Sequence, residues 1–395
     1  MIDYSKMLSK TLCDIKPSGI RKFFDMLSDM DDVVALTVGQ PDFVTPWHIR
    51  EAAIDSLEKG KTYYTSNAGT PELRDAISDY MKRRFELDYA PMGQILVTVG
   101  GSEGLDLAFR CILNAGDEVI IPTPSFVCYG PLASMTHGVP VLVETKAENE
   151  FRLTAQELRA AITPKTKAVV LPYPNNPTGG IMTKEDYEAI AKVLKDTNII
   201  VIHDEIYAEL TYDGNQHISF AAIDGMWERT ITLNGFSKAF AMTGWRLGYA
   251  AGPKELMEVL CRIHQYTMLC APISSQYAGV EALRAGFDTD FSDVRRMVTA
   301  YDRRRRMLVN GFREAGLACH EPLGAFYVFP SVRSTGLSSE EFCERFLLEE
   351  KVAVIPGTAF GECGEGFVRC CYAASMSDLG EALVRLERFM KKLKG

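Results

Sequence analysis

The sequence predicts an α/β protein, in which helices are laid on a mostly parallel sheet and a smaller α+β unit follows. Three observations carry this. Short, near-continuous aliphatic runs recur through the middle of the chain, as expected of strands buried on both faces. Helix-start signals fall between those runs, so strands and helices alternate. In the last third the pattern changes to a long helical stretch and then strand, helix, strand and terminal helix.

Ile95–Val99 reads as the first strand of the central region, followed by a helical pattern through Leu105, Ala108, Phe109 and Ile112. Glu118–Ile121, Lys167–Leu171, Ile199–Ile202 and Thr230–Leu233 read as further strands. The capping box Thr154–Glu157 stands ahead of Leu158, Ala161 and Ile162, and Thr183 caps a helix through Tyr187, Ile190 and Leu194. A single helical pattern then runs from about Val280 to Ala315 and includes the charge run Arg303–Arg306, read as a solvated face. Ala325–Phe329 and Val352–Ile355 read as strands on either side of a helix opened by the capping box Ser338–Glu341.

Composition narrows the function. Among 395 residues, 43 Lys+Arg stand against 52 Asp+Glu, a formal charge of −9. That leaves no bulk basic face to displace counterions, so a nucleic-acid partner is not expected. With 47% hydrophobic and 24% charged residues, the chain has the mix of a globular protein with a sizeable core. The longest uncharged stretch, Val119–Val143, carries Pro122, Pro124, Pro131 and Pro140 and cannot be one spanning helix. Met1–Lys10 lacks the apolar core of a signal peptide, and no membrane partner is expected. The ten cysteines are dispersed with no C-x-x-C pair; they read as buried thiols of a cytoplasmic protein, and no metal site is expected.

Four segments carry chemistry. In Thr232–Tyr249 a strand ends beside Ser237 and Lys238, and Arg246 follows between Gly244 and Gly248. A lysine at the mouth of a buried strand is desolvated, which frees its amine for Schiff-base chemistry. Ser237 and Arg246 together suit a phosphate. Strand Ile199–Ile202 runs into Asp204, where a buried carboxylate needs a cation such as a pyridinium nitrogen, and Tyr207 stands three residues on. The third segment is Pro172–Gly180, whose three prolines and two glycines form a rigid loop that presents Asn176. The fourth, Val99–Gly104, opens a helix with glycines; its spacing is not G-x-G-x-x-G, and it suits one phosphate rather than a dinucleotide.

In their order and wording these segments resemble the fold-type-I pyridoxal-phosphate aminotransferases of class I/II. The likeness runs from Val38–Phe43 to Phe367–Tyr372. It implies a three-layer large domain around a mostly parallel seven-stranded sheet, with a smaller α+β domain. Residues 1–45 would then form an N-terminal arm and part of the small domain, 46–280 the large cofactor-binding domain, and 281–395 the small domain. The cofactor implied is pyridoxal 5′-phosphate. Lys238 would form the Schiff base and shuttle the substrate proton, Asp204 would pair with the ring nitrogen, and Asn176 and Tyr207 would bond the ring oxygen. Phe126 matches the aromatic that stacks on the ring, and Gly101, Ser102, Ser237 and Arg246 would bind the phosphate. Tyr64 matches a tyrosine that reaches the neighbouring subunit's phosphate, which implies a homodimer with shared sites. Arg369 would clamp the substrate α-carboxylate, helped by the N–H of Gly39.

The implied reaction is ping-pong transfer of an amino group from an L-amino acid to a 2-oxo acid such as 2-oxoglutarate. Ser102 stands where many aspartate-preferring relatives carry lysine, while Ser18–Phe24 and His264–Thr267 resemble the branch with aromatic and N-acetyl-diaminopimelate aminotransferases. Donors with acidic or aromatic side chains are therefore expected. Arg21 is a candidate for a distal carboxylate, weighed against a solvated helix position, and no role is assigned to Cys370 or Cys371. Two rival activities sit on the same scaffold: a carbon–sulfur β-lyase of the cystathionine type, and a non-catalytic ligand-sensing module. The sensing module normally follows a DNA-binding helix pair, and only about forty residues precede Gly39 here.

Overall fold

The computed structural model describes residues 2–16 and 30–394. After a two-residue strand, Val34–Ala35 (β1), the chain builds a seven-stranded sheet. Its strands are Ile95–Thr98 (β2), Glu118–Thr123 (β3), Val139–Glu144 (β4), Thr166–Leu171 (β5), Ile200–Asp204 (β6), Thr230–Gly235 (β7) and Gly248–Ala251 (β8). They lie in the order β2-β8-β7-β6-β5-β3-β4, all parallel except β8, which runs against both neighbours.

Side-chain alternation explains why the strands read as continuous apolar runs. Ala168 and Val170 of β5 join one hydrophobic cluster with helices Gly100–Ile112 and Lys254–Thr267. Val169 and Leu171 join another with helix Lys184–Leu194 on the opposite face. Helices therefore cover both faces of the central strands. The two expected capping boxes are formed, Thr154 with Glu157 and Ser338 with Glu341, and the expected cap Thr183 forms a third box with Asp186.

Strands β4 and β8 carry no continuous aliphatic signal. β4 lies at the sheet edge, has no fully buried residue and contains Pro140, which an edge strand tolerates. β8 reads Gly-Tyr-Ala-Ala because the chain passes close to it: a Cβ on Gly248 would lie 2.7 Å from the carbonyl carbon of Gly100.

The last third forms a second cluster around a three-stranded antiparallel sheet of Ile355–Pro356 (β11), Val368–Cys371 (β12) and Tyr327–Val328 (β9). Val352–Ala353 (β10) pairs in parallel with β1, which ties the start of the chain to this unit. Three expectations are corrected here. The helical pattern of 280–315 is two helices, Ile273–Asp288 and Ser292–Glu314. Asp290 and Phe291 adopt positive φ between them, and the Phe291 ring folds back into the space left by Gly286. The charge run Arg303–Arg306 is not a solvated face, since Arg304 and Arg305 are buried. Nor are all the cysteines buried: every one is a free thiol, but Cys13 is exposed and five others are only partly covered.

Candidate active site

The carboxyl ends of the parallel strands open into a cleft of about 370 Å³. Its walls include Gly39, Gly101, Ser102, Phe126, Asn176, Asp204, Tyr207, Ser237, Lys238, Arg246 and Arg369, which are all the residues given a role by the resemblance except Tyr64. Tyr64 is 79% exposed and stands outside the cleft. Arg21 and the Ser18–Phe24 segment lie outside the described residues.

Lys238 follows β7 and donates from Nζ to the Gly39 carbonyl at 2.7 Å. Burial brings its pKa down to about 8, close to what an amine needs to act as a base near neutrality. Facing it, Asp204 ends β6. It accepts from the Tyr129 hydroxyl at 2.8 Å and from the Ile206 N–H at 3.2 Å. Burial raises its pKa against the lowering effect of those bonds. No helix follows Asp204, so its carboxylate is not spent on an N-cap. Among the described residues no salt bridge reaches it.

The next residue, Glu205, behaves in the opposite sense. Its carboxylate sits 2.6 Å from His203 Nδ1 and 3.2 Å from His217 Nε2, and it accepts from the Ser219 hydroxyl. Burial pushes its pKa up, but the two imidazoles outweigh burial and hold it well below the usual carboxylate range. The three groups are near enough to one another to hold a metal ion. In the structure, however, His203 Nδ1 faces the Glu205 carboxylate with the Phe220 nitrogen 3.1 Å away, and Nε2 meets the Tyr187 hydroxyl at 3.0 Å. Those atoms are already engaged.

One end of the cleft is a phosphate cradle. Gly100 takes φ +76° at the start of helix Gly100–Ile112, and a Cβ there would lie 2.6 Å from Arg246 Nη2. Only glycine lets the guanidinium lie over that helix start, where free backbone N–H groups favour an anion. Glu103 fixes the turn by accepting from the Val99 N–H, while its other oxygen meets His264 Nδ1 at 2.6 Å. Arg246 itself is held by the Thr243 carbonyl at 3.1 Å.

At the other end stands Arg369 on β12, 3% exposed. Nη1 donates to Asn176 Oδ1 at 3.0 Å, Nη2 donates to the Thr37 carbonyl, and Nε has no hydrogen-bond partner among the described residues. The rings of Tyr327 and Phe360 lie 4.7 Å from its Cζ. Among the described residues no carboxylate pairs with it. A buried guanidinium without a counter-ion is costly, and its fork suits an incoming carboxylate. Asn176 is presented by a loop stitched by Asn175, whose Oδ1 accepts from the Thr178 N–H and hydroxyl.

Tyr129, Tyr327 and Thr37 also line the cleft, and no motif in the sequence marks them. Tyr129 carries a spatial hint, because it stands one helical step from Phe126; Tyr327 reads only as part of an apolar strand. The residues present fit pyridoxal phosphate: Asp204 lacks a cation, Arg246 lies over a glycine-made anion cradle, and Lys238 is desolvated between them.

Such a site at the mouth of such a sheet is that of a pyridoxal-phosphate enzyme. The model of the family "Aminotransferase class I and II" matches residues 31–386, and the chain belongs to that family. It is 53% identical over 98% of both chains to the putative aminotransferase YugH of Bacillus subtilis. It is 45% identical to the aspartate aminotransferase of Pyrococcus abyssi, covering 98% of this chain and 99% of that one. The crystal structure of an aromatic aminotransferase from Pyrococcus horikoshii superposes with a TM-score of 0.90 at 44% identity, over 94% of this chain and 99% of that one. The protein is an aminotransferase with pyridoxal 5′-phosphate as its cofactor. Among the described residues no helix is long and apolar enough to cross a membrane.

Proposed function

We propose that this aminotransferase moves the amino group of an L-amino acid with an acidic or aromatic side chain to a 2-oxo acid such as 2-oxoglutarate, by ping-pong turnover. The observation that carries the reading is the buried Arg369 fork, which has no carboxylate of its own and faces a desolvated Lys238 across the cleft. The names of the relatives, aspartate and aromatic aminotransferases, support the two donor classes.

When bound, the cofactor supplies an electron sink for charge that develops at the substrate Cα. Asp204 would keep a proton on the ring nitrogen, Asn176 and Tyr207 would hold the ring oxygen, and Phe126 would pack against the ring. Gly101, Ser102, Ser237 and Arg246 take the phosphate. Arg369 and the Gly39 N–H orient the substrate carboxylate, so that the Cα proton points at Lys238. Lys238 removes that proton and later returns one. In a homodimer, Tyr64 reaches the partner's phosphate.

The test is the visible spectrum of the cofactor-loaded protein, with L-aspartate, L-glutamate, L-phenylalanine and cystathionine added in turn. The band is expected to bleach with an acidic or aromatic donor and return with 2-oxoglutarate. Pyruvate, ammonia and a thiol formed from cystathionine without any acceptor would instead make the enzyme a β-lyase.

A further inference from the structure

Tyr327 does not belong to the part of the fold that carries Lys238 and Asp204. It lies on β9, in the small sheet, and is 1% exposed. Its hydroxyl nevertheless ends in the cleft, 2.7 Å from the hydroxyl of Tyr207. The same hydroxyl lies against Gly39, where any Cβ would collide with it, and Gly39 is the residue whose carbonyl receives Lys238. The Tyr327 ring forms the floor under the Arg369 guanidinium, 4.7 Å from its Cζ. One side chain thus touches the proposed carboxylate clamp, the strap beside the lysine, and the tyrosine assigned to the ring oxygen.

Hydrogen-bond arithmetic gives this contact a direction. Each phenol has one proton to donate. Two hydroxyls 2.7 Å apart share one hydrogen bond, so one of the two protons is used between them and the other is free. If Tyr207 donates to Tyr327, the free proton is the one on Tyr327, and Tyr207 has none left for the ring oxygen. If Tyr327 donates to Tyr207, the Tyr207 proton is free to point outward, and the bond it accepts makes it a stronger donor. A phenylalanine at 327 would fill the strand and floor Arg369 equally well. The buried hydroxyl is what packing does not explain.

We propose that Tyr327 is a positioning residue that acts through Tyr207, donating its hydroxyl proton so that Tyr207 donates to the oxygen of the bound ring. This rests on the assignment of Tyr207 to that oxygen. The charged and titratable groups facing the pair are Arg369 and Cys371 on β12, Lys238 after β7, and Tyr129, whose hydroxyl already donates to Asp204; none of them takes the Tyr207 proton in the structure.

The relay is tested by titrating the visible band of the cofactor-loaded protein with pH, in the unsubstituted enzyme and in Tyr327→Phe, Tyr207→Phe and the double variant. A hydrogen bond to an anionic ring oxygen favours the deprotonated form, so losing it raises the midpoint. Tyr207→Phe is expected to raise the midpoint by about one unit or more, and Tyr327→Phe by about half a unit. In the Tyr207→Phe background, Tyr327→Phe is expected to add nothing, because the relay has no second member. An unmoved midpoint in Tyr327→Phe would overturn the relay while leaving the site assignment standing. So would an equal shift in both backgrounds, which is what a merely structural role would give. If Tyr207→Phe itself leaves the midpoint unmoved, the assignment of Tyr207 falls and the relay falls with it.

Discussion

Arg369 and Asn176 are joined across the cleft by a 3.0 Å hydrogen bond from guanidinium Nη1 to amide Oδ1, although 193 residues separate them. Arg369 comes from the small sheet and Asn176 from the rigid loop after β5, so the bond sets the fork at a fixed angle over the cleft floor. Arg369→Ala removes the fork and is expected to lower kcat/KM for amino-acid donors by about 10²–10³-fold. Asn176→Ala leaves the fork in place but unaimed, with an expected loss of about tenfold. Steady-state kinetics with one donor at fixed acceptor measure both. Equal losses would mean that Asn176 does more than aim Arg369.

Lys238 is held in the fold at the cost of its proton. Burial lowers its pKa from the ordinary 10.5 to about 8, so between those values the unfolded chain binds more protons than the native state. The sign follows: the cofactor-free protein gains stability from this group as pH rises through that window. Lys238→Met removes the penalty. The cofactor-free variant is expected to be more stable than the parent at pH 7 by about 1–3 kcal/mol, with the gap narrowing toward pH 10. Urea midpoints at two pH values decide this, and transamination by the variant should be abolished throughout.

Asp204 bears the complementary penalty. Its folded pKa is raised by burial, so the native state binds more protons than the unfolded chain as pH rises past the carboxylate range, and stability falls through that window. Asp204→Asn is therefore expected to stabilise the cofactor-free protein at pH 7 while lowering kcat by about 10³-fold. Tyr129→Phe takes away one bond to the carboxylate, and its expected loss in kcat is smaller, about tenfold. Thermal melts paired with kinetics test both. A destabilised Asp204→Asn would show that the carboxylate serves the fold rather than the cofactor.

Local physics made some of this site legible and hid the rest. Lys238, Asp204 and Asn176 each follow a buried strand whose aliphatic run is plain in the sequence, so their place at strand ends could be read directly. The capping boxes at Thr154, Thr183 and Ser338 are complete within four residues and are formed as written. Tyr129 and Tyr327 were hidden, because a buried tyrosine whose hydroxyl finds a distant partner looks like any core aromatic. The break at Asp290–Phe291 depends on a ring turning back onto Gly286, a contact with no helix-stop signal such as a proline. Charge runs hide partners in the same way, as the arginines of the long helix show.

Arg303–Arg306 looks like one solvated stripe, but a helix turns each successive residue by about 100°, so four in a row cannot all face water. Arg303 and Arg306 are exposed, whereas Arg305 is fully buried. Its guanidinium reaches Asp302 at 2.6 Å, Asp213 at 2.7 Å and Glu321 at 3.1 Å, and donates to the Pro322 carbonyl at 3.1 Å. Arg304 takes Asp42 with two parallel bonds of 2.7 and 2.9 Å, and Asp42 stands three residues from Gly39. Removing Arg305 empties a buried site and frees the Pro322 carbonyl, while Arg306 and Arg313 still reach its carboxylates, so Arg305→Ala is expected to cost about 2–3 kcal/mol of stability. Arg303→Ala, on the wet face of the same helix, is expected to stay within about 0.5 kcal/mol. Arg304→Ala frees the segment that carries Gly39, and its signature is a raised KM for the donor beside a modest loss in Tm. Similar melting points for the Arg303 and Arg305 variants would restore the view of the run as a solvated face.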